Sequence, residues 1–322
     1  MNATRRGAML SGLVLTAPLW AQSPPRIVFI WPGSVSGEEY RSAAFKQGMD
    51  EIGMVHGRDY QLEEHYADGQ YERFPAITAA VLQRPPALLM VVTISSVRAA
   101  QQATQTVPIV FVSTNDPVGS GLVASLARPG GNTTGLSTQN EDTAIKLLQL
   151  THEVLPRVRR IAVLVNPANP SGSKLFEQMR APALALGIEA VAHEARSPQA
   201  LDAAFAAINR QRAEVLLVIP DSMFGSEVER IAAFAQRTRL PFLATNRKSA
   251  SAGAVLTYGL SNLAIFRRSA VYAKKILEGA KPGELPVEQP TRFELIINLK
   301  TATALGIAVP QALLLRADEV IQ

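Results

Sequence analysis

Residues 87–92 read ALLMVV and residues 214–219 read EVLLVI, two short runs that are apolar almost throughout. Neither is long enough for a core helix, and neither alternates as a half-exposed strand would. A run of this kind is a strand covered on both faces, as in parallel sheets sandwiched between helices. Other runs of strand character flank them. The first series is 26–31, 60–65, 87–92, 108–112 and 134–137, and the second is 160–165, 188–193, 214–219, 241–244 and 254–257.

Amphipathic helices with readable ends lie between the runs. Residues 38–52 place Tyr40, Ala44, Met49 and Ile52 on one face and stop at Gly53, while 181–186 stop at Gly187 and 261–278 at Gly279. Glycine just past the last turn accepts the left-handed backbone that closes a helix. Asp116-Pro117 and Ser197-Pro198 each read as a capping residue followed by proline at the first helical position. The two series match in architecture, four strand–helix steps and a fifth strand each time, without visible repetition of sequence. This predicts an α/β protein of two doubly wound, Rossmann-like lobes. Residues 26–137 and 258–286 are expected in lobe 1, and 138–257 and 287–322 in lobe 2. The chain then crosses three times: after the PGGN turn at 129–132, near 256–260, and near 285–293, where Pro286 and Pro290 discourage helix. Three crossings make a hinge that can close. Open α/β sheets bind ligands beyond the carboxyl ends of their strands, so two facing lobes enclose a cleft of strand-end loops and helix N-termini.

Hydrophobic residues make up 47% of the 322, enough for two cores, and charged residues only 18%, so no segment reads as disordered. The formal net charge is +5, two of it from Arg5 and Arg6, and the basic residues are scattered rather than striped. That distribution argues against a nucleic-acid partner. Arg5 and Arg6 precede the uncharged stretch GAMLSGLVLTAPLW at 7–20, then small residues, then Pro24-Pro25. Residues 1–23 thus read as a signal peptide, too short to span a bilayer comfortably, with cleavage after Ala21 or Ser23. The rival reading, a buried first helix, would have no polar face and would run into two prolines. The arginine pair fits the twin-arginine export motif only in part, so the export route stays open. Cysteine is absent. An exported chain without it must rely on its core rather than on disulfides, and has no residue for lipid anchoring. No later segment is long and apolar enough to be a membrane span. The expectation is a mature protein free in the periplasm, with no direct membrane anchor.

Several long motifs then carry a resemblance. PIVFVSTNDPVGSGLVASLARPGGNTTGLS (108–137), IAVLVNPANP (161–170), LLVIPD (216–221) and LPVEQPTRFELIINLKTATALGIAVPQALLLRADEVI (285–321) closely resemble the ABC-transporter substrate-binding family that includes receptors for tryptophan and related aromatic amino acids. EEYRSAAFKQGMDEIGMVHGRDY (38–60) is similar to that family's first helix and the approach to its second strand. The resemblance covers nearly all of the chain after the leader. It implies a type I periplasmic-binding fold, a small-molecule ligand in the cleft, no cofactor, and a membrane permease and an ATPase as partners. It does not specify the ligand.

Candidate ligand-binding residues stand at strand ends. Thr93, Ser95 and Ser96 follow the ALLMVV run and open a helix, where hydroxyls and free backbone N–H groups suit a carboxylate. The resemblance implies the same, since strand-end serines of leucine-binding-type receptors hold the ligand's carboxylate. Ser95 also reads as a helix cap, and the two roles are compatible. Ser113 and Thr114 end the next strand and would complete an anion pocket, whereas Asp116 reads as a cap. Asp221 ends LLVIPD on the opposite lobe and suits a ligand ammonium, with helix capping the equal alternative. Asn166 faces the cleft by topology or simply forms a turn before Pro167. Asn246 and Tyr258 follow the last two strands of the second series, Tyr258 with a hinge-packing alternative. Ser34 lies in the loop after the first strand, and Trp31 at that strand's end reads as core or as a ring to stack on an aromatic ligand. Together they suggest a small carboxylate-bearing ligand, an amino acid, with aromatic ones among the candidates. A sugar or other small-molecule receptor or sensor of the same fold is the alternative.

Enzyme readings find no support. His56, His65, His152 and His193 sit apart, and the sequence holds no HExxH, GxSxG, Walker loop or GxGxxG after the first strand. A sugar-sensing transcription regulator shares the two-lobed fold but needs an N-terminal DNA-binding module, and the leader occupies that place. The leader generates a direct prediction. In native cells the mature chain begins at Gln22 or Pro24 and fractionates with soluble periplasmic proteins, and N-terminal sequencing that returned an intact Met1 would contradict it.

Overall fold

The computed structural model describes residues 23–138, 140–289 and 292–322, so all but the last residue of the expected signal peptide lies outside the described part. The first lobe runs β1 (Arg26–Trp31), α1 (Val35–Glu51), β2 (Gln61–Tyr66), α2 (Phe74–Leu82), β3 (Leu88–Val91), α3 (Ile94–Ala103), β4 (Ile109–Asn115) and β5 (Thr133–Thr138). Its sheet is parallel in the order β2-β1-β3-β4-β5. The second lobe runs α4 (Asn140–Val154), β6 (Arg160–Val165), α5 (Pro170–Ala185), β7 (Glu189–Glu194), α6 (Leu201–Arg210), β8 (Val215–Val218), α7 (Ser222–Ser226), α8 (Val228–Thr238), β9 (Phe242–Ala244), α9 (Arg247–Ala252) and β10 (Leu256–Leu260). Its strands repeat the same order, β7-β6-β8-β9-β10. In each lobe the second strand lies outside the first, which places a switch point between the first and third strands, where loops diverge and a ligand can enter.

Alternation along β1 shows why both faces are covered. Ile27, Phe29 and Trp31 pack in one apolar cluster with Phe45 and Met49 of α1, while Val28 and Ile30 join Phe74 and Val97 on the other side. Trp31 is fully buried and stacks on Phe29 at 3.9 Å between ring centroids. Its indole nitrogen donates to Glu64 at 2.9 Å, which settles its role as core rather than ligand platform.

The chain then returns to the first lobe through α10 (Asn262–Leu277), which packs against α1 and the β4–β5 side of that sheet. Residues 282–288 stay there: the Val287 N–H bonds the Leu126 carbonyl, and the Ser137 N–H bonds the Glu288 carbonyl. The last crossing leads to β11 (Phe293–Asn298), α11 (Leu299–Ala304), α12 (Gln311–Leu314) and β12 (Glu319–Ile321). β11 is antiparallel to β10 and parallel to β12, so the second sheet has seven strands where the sequence series counted five. The whole of β10, Tyr258 included, pairs within that second sheet, and the chain leaves it only after Leu260.

Asp116-Pro117 does not start a helix. Asp116 has a left-handed backbone, φ 41°, rather than the extended one of an N-cap, and its carboxylate accepts from the Gly119 N–H to close a turn. Ser197-Pro198 opens only the single turn Pro198–Ala200 that leads into α6.

The seam between α1 and α10 depends on Gly48. A Cβ there would overlap the Arg267 carbonyl oxygen and crowd Ala270. Gly48→Ala should therefore destabilise the protein by about 1–3 kcal/mol in urea unfolding, although alanine favours helices. An unchanged or raised midpoint would show that the two helices do not meet at this position.

Candidate functional site

At the carboxyl ends of the two sheets the lobes face each other across a narrow cleft. The first lobe contributes Arg41 from α1, Thr93 and Ile94 at the start of α3, Ser113, Thr114 and Asn115 from the end of β4, and Thr138 from β5. The second contributes Asn140 and Thr143 of α4, Asn169 and Ser171 at the start of α5, Asp221 and Ser222 after β8, and Thr245 and Asn246 after β9. Gly259, Leu260 and Asn262 form the floor at the second crossing. The lining is mostly amides and hydroxyls with one acid and one base, interrupted by Val92, Ile94, Pro220 and Leu260, and among the described residues no aromatic ring lines it.

The acid is Asp221. It caps α7, Oδ1 accepting from the Met223 N–H at 2.9 Å and the Phe224 N–H at 3.3 Å. Oδ2 accepts from Asn169 Nδ2 at 2.9 Å and from the Tyr71 hydroxyl at 3.2 Å, and Asn166 Nδ2 lies 3.3 Å from both oxygens. Every donor is neutral, and among the described residues no cation pairs with it. It borders the cleft void yet is surrounded deeply enough that burial pushes its carboxyl above the ordinary range, against the pull of these hydrogen bonds. The same burial, and then Asp221 itself, hold the Tyr71 hydroxyl well above its usual value.

The base is Arg41, and its charge is already matched. Nη1 donates to Glu38 Oε2 at 2.9 Å, Nε donates to the Tyr40 hydroxyl at 2.8 Å, and the guanidinium lies 5.6 Å from the centre of the Phe266 ring. Glu38 is fully buried, and its other oxygen accepts from the Gly33 N–H at 3.1 Å. Burial works against the Arg41 charge, but Glu38 and Tyr40 outweigh it and hold its pKa above the usual value. Burial also raises the Glu38 carboxyl despite Arg41. Both Glu38 oxygens accept hydrogen bonds, one from Arg41 and one from the Gly33 N–H, so Arg41 has its counter-ion within the first lobe. Asp221 is thus the one acid of the cleft lining without a cationic partner among the described residues.

The lobes touch in this structure. Arg41 Nη1 donates to Ser222 Oγ at 3.4 Å, Ser95 Oγ donates to the Ala168 carbonyl at 3.2 Å, and Lys174 pairs with Asp116 at the rim. Gly33 and Gly37 press directly on Ser226, whose hydroxyl is buried without a partner.

The candidate residues separate into groups. Thr93, Ser113, Thr114, Asp221 and Asn246 line the cleft. Of these, Thr114 donates its hydroxyl to the Val92 carbonyl at 2.8 Å, Asn246 caps α9 through its Oδ1, and the Ser113 hydroxyl has no protein partner. Ser96 is spent in a capping box with Thr93, and Ser95 on the opposite lobe. Asn166 acts one layer back, on Asp221. Ser34 caps α1 away from the cleft, and Tyr258 stacks on Phe293 in the second lobe. Sequence reasoning did not single out Arg41 or Ser171, and it read Asn169 only as a turn former before Pro170. Ser171, 6% exposed, has a hydroxyl without a partner at the edge of the cleft. Its signal was available: Asn169-Pro170-Ser171 repeats the cap–proline grammar seen elsewhere, and a serine in the first turn of a strand-end helix belongs to the cleft.

With this geometry in hand, comparisons with known proteins are informative. A family model described as ABC transporter substrate binding protein matches residues 36–321. A curated relative, the tyrosine-binding protein of Clostridioides difficile, is 25% identical over 263 residues, 82% of this chain and 75% of that protein. A crystal structure of a conserved domain protein from Vibrio cholerae is 27% identical with a TM-score of 0.85, covering 92% of this chain and 99% of that one. The ABC domain of Streptococcus pneumoniae in complex with L-Trp is 21% identical with a TM-score of 0.83, covering 92% and 100%. The fold is thus that of type I periplasmic-binding proteins.

The contact at Ser226 supplies a test of closure. A Cβ at Gly37 would overlap the Ser226 hydroxyl and crowd its backbone. Gly37→Ala should keep the lobes from meeting fully while leaving each folded. With a ligand identified by thermal-shift screening, affinity falls about tenfold or more, and small-angle scattering of the liganded variant gives a larger radius of gyration than the parent. Unchanged affinity and radius would show that closure does not pass through this contact.

Proposed function

The chain belongs to the ABC transporter substrate binding protein family, and from that membership we propose that it is an exported periplasmic receptor that delivers an amino acid to an importer's permease and ATPase. The family is one of binding proteins rather than enzymes. Among the described residues no helix is long and apolar enough to cross a membrane. The leader at residues 1–23 supports export, and the missing cysteine supports a form without a lipid anchor.

The observation that carries the ligand class is the Asp221 carboxyl, which has neutral donors around it and no cationic partner among the described residues. A carboxylate enclosed by neutral donors alone gains most from a cation brought to it, and the cleft that Asp221 lines gives one a way in. An α-ammonium group fits that demand. A matching α-carboxylate is supported by the opposite wall, where the Ser113 hydroxyl lacks a partner and the Ile94 and Ser95 N–H groups at the start of α3 have no intrahelical acceptor. Ser171, next to Asn169, supplies one more donor. The two relatives named for aromatic amino acids point the same way. Binding should weaken on acidification, because protonating Asp221 removes the charge. Since burial raises that pKa, the loss begins at a higher pH than for an ordinary aspartate.

Thermal-shift screening of the mature protein against amino acids and neutral sugars tests this. At a hundred times its dissociation constant a ligand adds about 2.7 kcal/mol to stability. Asp221→Asn keeps the helix cap, since asparagine caps as well as aspartate. It should nevertheless weaken the best amino acid by about tenfold to a hundredfold, the loss of one charge-assisted hydrogen bond. Unchanged affinity would remove Asp221 from the site, and a neutral sugar as the best ligand would overturn the assignment.

A further inference from the structure

The crossings between the lobes stand on one side of the molecule, beyond β5 and β10, the last strands of the repeated order. β2 and β7 are the edge strands on the other side, and the loops that follow them meet there. The loop after β2 turns sharply, with left-handed backbone at Asp68 (φ 54°) and Gly69 (φ 76°). It is fixed within its own lobe. The Ala67, Asp68 and Gly69 N–H groups donate to the Trp31, Gly33 and Pro32 carbonyls, and Arg73 Nη1 donates to the Ala67 carbonyl at 3.2 Å and to Asp68 at 2.6 Å. Gly69 faces the second lobe so closely that a Cβ there would lie 2.7 Å from Met223 Cγ and 3.0 Å from Pro198 Cδ. That opposing surface is fixed as well, since Arg230 Nη1 donates to the Pro198 carbonyl at 2.9 Å and to Glu227 at 2.8 Å.

We infer that the loop at 67–73 is an apolar clasp, which holds the two lobes together without help from ligand and makes the closed form the predominant one. Ala67 and Met223 are fully buried and Tyr71 and Phe224 nearly so, all four in one apolar cluster that spans both lobes. Parting the lobes returns the surface between Gly69 and Met223 to water, which the hydrophobic effect opposes. Each surface is ordered in its own lobe beforehand, so little conformational freedom is lost when they meet. The contact also lies farthest from the crossings, where a given opening angle separates the lobes most. The Asp116–Lys174 pair at the rim is of a different kind, an exposed ion pair that salt screens. Tyr71 belongs to the clasp loop and its hydroxyl donates to Asp221 at 3.2 Å, so the clasp and the cleft open together. Ligand then enters through a minor open form, whose population the clasp sets.

The absence of cysteine makes the test direct. Ala80→Cys on α2 and Ala203→Cys on α6, both at exposed positions, accept a pair of spin labels, one on each lobe. Pulsed dipolar spectroscopy of the mature protein without ligand then reads the distance between them. The labelled parent should show mainly the distance that the closed structure sets, in low and in high salt alike. Met223→Ser should lower the ratio of closed to open form about tenfold or more, a longer distance growing at the expense of the short one. Gly69→Ala acts from the other lobe, because its methyl group overlaps Met223 when the lobes close and meets solvent when they part. It should shift the distribution in the same direction. Circular dichroism checks each variant, and if Met223→Ser does not fold, Gly69→Ala decides alone. A parent found mainly at the longer distance would overturn the clasp. So would a closed population that high salt abolishes, or a Gly69→Ala distribution that matches the parent's.

Discussion

A carboxylate enclosed by protein without a cation is held in place only by the hydrogen bonds aimed at it, and Asp221 sits in that condition with five neutral groups around it. Those groups come from separate parts of the chain: Tyr71 just ahead of α2 in the first lobe, Asn166 and Asn169 in the loop after β6, and the first N–H groups of α7. Tyr71 reaches Asp221 only when the lobes are together. The arrangement of the loops, the capping of α7 and the approach of the lobes thus converge on one side chain. The Arg41–Glu38 pair follows a different logic, since its two groups are partnered inside the first lobe and it contributes shape, fixing Tyr40 and meeting Ser222 across the gap.

The topology explains why these groups can meet. Each lobe repeats the same strand order, and each directs its strand-end loops toward the other. The chain leaves the second sheet after β10 to lay α10 along α1, so the cleft floor at Leu260 and Asn262 is also a hinge strand. Close approach is built in with glycine at two levels: Gly48 lets α10 seat on α1, and Gly33 and Gly37 let Ser226 press on the first lobe. Neither contact tolerates even a methyl group without displacement.

Much of this was legible in the sequence. Runs such as ALLMVV and EVLLVI declare buried parallel strands because no polar residue interrupts them, and β1, β3, β6 and β8 stand where the runs stand. The two C-terminal strands were not legible, because FELIIN and EVI become strands only by pairing with β10 and with each other. The Asp116-Pro117 pair misled for a local reason: a left-handed φ turns a capping signature into a tight turn, and sequence does not display φ. In the site, Asp221 was readable as a cap or as a cleft carboxylate, and it is a cap that borders the cleft. Ser95 and Ser96 looked available because hydroxyls at a strand end usually are, but one bonds across to Ala168 and the other closes a capping box. Glu38 and Arg41 were not singled out in the sequence, and the packing of Phe266 and the Gly33 loop around them makes them interior.

The central claim is that Asp221 leaves a negative charge for the ligand's amino group to complete. The most direct measurement is calorimetry on the unmodified mature protein with its best amino acid and with the same molecule lacking the α-amino group. Loss of one charge-assisted hydrogen bond predicts that the deaminated acid binds about tenfold to a hundredfold more weakly. Equal or tighter binding of the deaminated acid would contradict the account, because it would show that the enclosed carboxylate is a structural cap to which the ligand's charge is indifferent.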